Sequence, residues 1–138
     1  MIQNHKVVVL VGMEEMMKID IVEMESGITK LVLSGRMDIQ GAAAADMTFS
    51  VTAGTKKKVV VDLSDVTFMA FLGLRTLMVS ANSIASKGGT MVLLNPQSNV
   101  EKLLETTGVS TEIPIVRDML SAFALLRRER AVALTQMC

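Results

Sequence analysis

Val61–Leu77 reads VDLSDVTFMAFLGLRTL. It opens on a β-branched run and closes on helical spacing. KKVVVDL, ending at Leu63, shows no alternation, the pattern of a strand covered on both faces. Leu74, Leu77, Met78, Ala81 and Ile84 fall at i, i+3, i+4, i+7 and i+10, one face of a helix. Lys87-Gly88-Gly89 is the stop signal. Between strand and helix sits Met69-Ala70-Phe71-Leu72, an apolar run where a polar cap is usual.

Toward the C-terminus, TMVLLN (90–95) is a second buried strand, ended by Pro96. SNVEKLLETTG (98–108) is a short helix, with Ser98 as candidate N-cap, Glu101 three residues on in a capping-box pattern, and Gly108 closing it. EIPIV (112–116) is a short edge strand or an extended loop. In VRDMLSAFALLRRER, Val116, Met119, Leu120 and Phe123 share a stripe and predict a final helix, and 128–138 form a C-terminal tail.

Toward the N-terminus, KIDIVEM (18–24) alternates, with Ile19, Ile21 and Met24 on one side. Ser26-Gly27 is a turn signal before ITKLVLSG (28–35), so the two runs predict an antiparallel hairpin. The Ala-rich DIQGAAAADMTFSVTAG predicts a helix ending near Gly54. The domain pattern starts at residue 17, leaving 1–16 as an N-terminal arm or an extra strand. Strands alternating with helices predict parallel crossovers and an α/β sheet.

The chain has 138 residues, enough for one domain with one core. Fourteen basic residues balance 14 acidic ones, so there is no basic face to expect and no nucleic-acid partner. Lys56-Lys57-Lys58 reads as a solvated loop. Cys138 is the one cysteine, so no disulfide can form within the chain, and a bacterial-type cytoplasmic protein is the plain reading. No apolar run approaches the ~20 residues of a membrane span, so no membrane insertion is expected.

Catalysis needs convergent polar groups. His5 is the single histidine and lies far in sequence from Cys138, which argues against a zinc site or a Cys-His pair. No phosphate-binding glycine motif is present. Asp62 and Asp65 flank a strand end with no visible polar partner, and Asp62 is read as a cap or an acceptor of backbone N–H groups. The expectation is no enzyme, no cofactor and no metal.

LSGRMD (33–38), VVVDLSDVTFM (59–69), GLRTL (73–77) and GGTMVLLNP (88–96) together resemble the STAS domain, and more narrowly the anti-sigma-factor antagonists of bacteria. The resemblance covers about residues 17–127. It implies a single α/β domain, with a mixed sheet of four to five strands and about four helices largely on one side. It also implies a partner: an anti-sigma factor, itself a serine kinase, whose binding regulates transcription and is switched off by phosphorylation of the antagonist. The family's loop after the strand typically reads Asp-Ser-[Ser/Thr]-Gly-Leu. The matching residues here are Ala70-Phe71-Leu72-Gly73-Leu74, so Phe71 stands at the phosphoacceptor position and cannot carry a phosphate.

The expected docking surface is Met69, Ala70, Phe71, Leu72 and Arg75, with Phe68 expected in the core. The nearest hydroxyls for a displaced switch are Ser64, Thr67 and Thr76. The alternative is a cytoplasmic STAS accessory subunit of a membrane transporter, the transporter being a separate chain. Self-association through the apolar loop, as a homodimer, is left open.

Overall fold

The computed structural model describes residues 17–127 in full and 6–11 as backbone. One sheet runs in the order β1-β2-β3-β4-β5-β6. The strands are β1 Lys6–Val11, β2 Met17–Glu23, β3 Ile28–Met37, β4 Lys58–Met69, β5 Thr90–Leu94 and β6 Ile115–Val116. β1, β2 and β3 pair antiparallel, and β3 through β6 pair parallel. The chain is thus α/β with a mixed sheet, as expected. β2–β6 are the strands anticipated from the domain pattern, and β1 is an extra strand within residues 1–16. His5, the rest of that arm and the tail 128–138 lie outside the described residues.

The hairpin forms where Ser26 and Gly27 take left-handed φ values of 67° and 73°. The crossovers are α1 Ile39–Thr55, α2 Phe71–Ser86, and α3 Ser98–Thr106 with the one-turn α4 Val109–Glu112. Successive parallel strands are added in one direction across the sheet. Right-handed crossovers then all fall on one face. Beneath them lies the main core, where Ile19, Leu33, Val61, Leu63 and Leu93 meet Ala45, Phe49, Leu77, Ile84 and Leu104. A fifth helix, α5 over residues 119–127, covers part of the opposite face, where Ala122 and Leu126 pack on Ile28, Val60, Val92 and Leu94. β4 and β5 are neighbours, with Val59 beside Met91 and Val61 beside Leu93. Covered on both sides, they lack alternation for the reason given above.

Three local readings are corrected. Met24, out of step with the two-residue period of Ile19 and Ile21, packs on the opposite face with Ile28 and Val60. Ser98 is the first residue of α3 rather than its cap. Gln97 is the N-cap, makes no side-chain capping bond and instead donates from Nε2 to Ser64 O at 2.9 Å. Glu101 does not reach back to the helix start but accepts from Arg117. Nor does the last helix include Val116, which belongs to β6. It begins after Asp118, whose Oδ1 accepts from Ser121 N–H at 2.8 Å. Starting there, the buried stripe is Met119, Ala122, Phe123 and Leu126, and Leu120 is turned out, 80% exposed.

α2 ends in a Schellman arrangement. Gly88 takes φ 84°, its N–H donates to Ala85 O, and Gly89 N–H donates to Ile84 O, both at 2.9 Å. Thr90 N–H then donates to Lys57 O at 2.7 Å and starts β5 beside β4. A Cβ on Gly89 would overlap Lys57 O and approach Ile84 Cγ2 to 2.8 Å. Gly89→Ala should therefore cost about 1–3 kcal/mol through overpacking against backbone. Urea unfolding checks this by a lower midpoint at unchanged slope.

The Arg117 hydrogen bond holds the Glu101 carboxyl below its usual value and raises the guanidinium. A carboxyl with a depressed folded-state pKa binds fewer protons folded than unfolded. Its stabilisation is present above the unfolded pKa and is lost as pH falls through the folded one. Arg117→Met should flatten the fall of the urea midpoint between about pH 5 and pH 3 relative to the native chain. An unchanged slope over that range would mean that Glu101 does not titrate against Arg117.

Candidate functional site

β4 continues through the polar pair Ser64-Asp65 because its pairing with β3 shifts. Val32 stands beside Asp62 and Ser34 beside Asp65, with a second shift between Gly35 and Arg36. Such bulges let a strand bend and re-aim its end. Asp62 Oδ1 accepts from Ser64 N–H at 3.0 Å and from Ser64 Oγ at 2.6 Å, and Oδ2 lies 3.7 Å from Lys30 Nζ. Asp62 thus orients a backbone N–H, while Asp65 is exposed.

The strand ends at the β4–α2 junction, where the polar cap is missing. Ala70 is the N-cap, in extended backbone, with no side chain able to accept from the first turn. Backbone bonds hold the turn instead. Ala70 N–H donates to Met37 O at 2.9 Å, and Ala70 O accepts from Gly73 N–H at 2.9 Å and Leu74 N–H at 3.2 Å. A Cβ on Gly73 would stand 3.0 Å from Met69 Cγ and 3.1 Å from Met37 Cγ. The first turn of α2 therefore rests directly on two methionines, and a larger residue at position 73 would have to push them back by a few tenths of an ångström.

The apolar run divides here. Met69 is buried, 4% exposed, and offers no surface. Its expected place in the docking surface is therefore corrected: it supports the turn from below. Ala70 is half-buried, Phe71 is 75% exposed, Leu72 is partly exposed, and Arg75 is exposed one turn further along α2. Phe68, expected in the core, is at the surface, with the Arg36 guanidinium 4.4 Å from its ring centroid. A cation over the ring lets an aromatic sit in water at modest cost. Arg36 Nε is 3.7 Å from Asp38 Oδ2, and Asp38 Oδ1 caps α1 by accepting from Gly41 N–H at 2.9 Å.

Arg36, Asp38 and Phe68 thus join Ala70 and Phe71 at the carboxyl ends of two adjacent parallel strands, where α/β sheets commonly place their sites. Asp38 was not singled out in the sequence, although a capping-type residue directly ahead of a helical run is its signal. Arg36 over Phe68 left no such signal, because the two are neighbours only across strands.

The three hydroxyls differ in access. Thr76 is buried and donates to Leu72 O at 3.0 Å. The Ser64 hydroxyl is engaged by Asp62. Thr67 is exposed, 3.4 Å from Gly35 O. Beyond the junction a groove separates α2 from α1, lined by Leu72, Arg75 and Val79 on one side and Ala43, Asp46 and Ser50 on the other. Among the described residues no cluster of His, Cys, Asp and Glu has the makings of a metal site, and no helix is long and apolar enough to cross a membrane.

Solved structures similar in fold include an anti-sigma factor antagonist from Mycobacterium paratuberculosis, with a TM-score of 0.73 at 20% identity over 85% of this chain and 99% of that one. The Bacillus cell fate determinant SpoIIAA in its phosphorylated form gives 0.61 at 15% identity, over 78% and 98%. The murine anion transporter Slc26a9 gives 0.65 at 13% identity over 78% of this chain, but only 19% of the transporter. At these identities the likeness is one of fold. No curated protein matches the chain. The STAS domain profile matches residues 8–122, from within β1 to within α5. With that match spanning the sheet and all its crossovers, the chain belongs to the STAS domain family.

Proposed function

We propose that this chain is a non-catalytic interaction module of the anti-sigma-factor-antagonist kind, regulating transcription by docking a serine-kinase-like anti-sigma factor. Its docking surface is the first turn of α2: Ala70, Phe71 and Leu72, with Arg75 at the rim. The observation that carries this reading is Phe71, the first residue of α2 and 75% exposed, at the position where the resemblance places a phosphoacceptor. An exposed phenylalanine on a rigid turn is a suitable anchor for a partner pocket.

The same residue argues against the usual switch. A phosphate at a helix N-terminus carries about two negative charges to unpaired N–H groups. Phe71 accepts none, so docking through it is not switched at that position. The exposed groups of the first turn are mainly apolar, which favours binding over chemistry, and the chain's place is the cytoplasm with its partner. A second reading, an accessory subunit docking a separate membrane transporter, draws support from the fold likeness to part of Slc26a9. The partner recovered from native lysate separates the two.

Burying a phenylalanine side chain contributes roughly 1.5–3 kcal/mol. Phe71→Ala should therefore weaken the purified partner by about thirtyfold at an unchanged melting temperature. Phe71→Asp should be worse, since it places a charge against an apolar pocket. Phe71→Ser should also weaken binding, and it lacks the polar neighbours of the family loop. Calorimetry with each variant checks the order, and normal binding by Phe71→Ala would remove this surface from consideration.

Incubation with a partner kinase and ATP, followed by mass spectrometry, should find residue 71 unmodified. Stoichiometric phosphate on Thr67, the exposed one of the three hydroxyls, would mean that the switch has moved by four residues rather than vanished.

A further inference from the structure

α1 is apolar on two opposite sides. Ala42, Ala45, Phe49 and Ala53 face the core. On the other side Ile39, Ala43, Met47 and Val51 fall at i, i+4, i+8 and i+12, one continuous ridge. Ile39, Met47 and Val51 are 63%, 75% and 59% exposed, and Ala43 is exposed between them. Scattered apolar side chains on a surface are normal; here they form a ridge running most of a 17-residue helix. Leu72 and Val79 of α2 extend it across a groove of about 460 Å³.

The groove also bears one charge of each sign, Asp46 on α1 and Arg75 on α2. Among the described residues, neither forms a side-chain ion pair within the chain. A two-fold interface sets a patch against itself, so that residue i of one copy meets residue j of the other, and j meets i. A surface with an apolar ridge and one charge of each sign beside it meets the chemical requirement for facing its own copy. Apposed ridges bury apolar against apolar, and each Asp46 can face the other copy's Arg75. The chain's formal net charge of zero offers no long-range repulsion.

We propose that the outer face of α1, with the groove it forms against α2, is an interface between two copies of this chain. This goes beyond the docking reading; Leu72 and Arg75 belong to both surfaces, and the ridge residues Met47 and Val51, which lie outside the docking surface, test it separately.

Sedimentation equilibrium of the full chain over a range of concentrations provides the test. The native chain should show twice its 14.9 kDa mass. Met47→Glu should return it to a single-chain mass at the same concentrations, with an unchanged melting curve, and Val51→Lys provides a second variant should that one fail to fold. Charge reversal supplies the specific signature. Asp46→Arg alone opposes two arginines across the axis, and Arg75→Asp alone opposes two aspartates, so each should be monomeric. An equimolar mixture of the two restores both pairs and should recover the dimer mass. A native chain that stays monomeric at its highest soluble concentration overturns the proposal. So does a dimer indifferent to the ridge variants, or a mixture that stays monomeric. If the native chain is monomeric and Met47→Glu abolishes binding of the anti-sigma factor, the face belongs to that partner instead.

Discussion

Covering β4 on both faces is the constraint from which the rest of the structure follows. Its inward residues alternate between two cores. Val59, Val61 and Leu63 point into the layer under α1, α2 and α3, and Val60 points into the layer under α5. A strand buried twice must sit away from the sheet edge, with parallel neighbours supplied by crossovers. β3 and β5 take those places, and the helices that connect them fall on one face by handedness alone. α5 can then only be useful on the other face, where Ile28, Val60, Val92 and Leu94 would otherwise meet water.

The site arises where that double cover runs out. Past Asp62, β4 no longer pairs with β5; its one remaining strand partner is β3, through two register shifts, while Gln97 and Asn99 donate to Ser64 O and Thr67 O, each at 2.9 Å. The backbone emerges at the top of the sheet, and side chains one or two residues apart have different fates. Met69 goes down onto Met37 and Gly73, while Phe68 turns out under Arg36 and Phe71 opens α2 into solvent. The junction does without a polar cap because the carbonyl of Met37 and the carbonyl of Ala70 satisfy the groups that matter most for its geometry. That releases positions 70 to 72 from capping duty, and their apolar character can serve recognition under the proposed reading.

Two surfaces meet on α2. Its first turn presents Phe71, and its flank, facing α1, presents Leu72, Arg75 and Val79. Leu72 and Arg75 are common to both. If both proposals hold, a partner seated on Phe71 lies beside the seam between two copies, and the occupancy of one surface can influence the other through those shared side chains. No such coupling requires a phosphate.

The sequence by itself determined the element order, the two doubly buried strands, the hairpin at Ser26-Gly27 and the helix stop at Gly88-Gly89. Those features are local: they rest on hydrophobic period and on glycine tolerating backbone that other residues resist, and both act within a few neighbouring residues. Tertiary structure decided the rest. It sent Glu101 to Arg117 instead of to its own helix start, moved the start of α5 past Asp118 so that Leu120 faced out, and set Arg36 over Phe68. It also split Met69-Ala70-Phe71-Leu72 into a buried support and an exposed anchor. A run of four apolar residues carries no period from which burial can be read. Which of them is covered depends on the register of β4 against β3 and on the approach of Gly73 to Met37, contacts made by residues thirty or more positions apart in the chain.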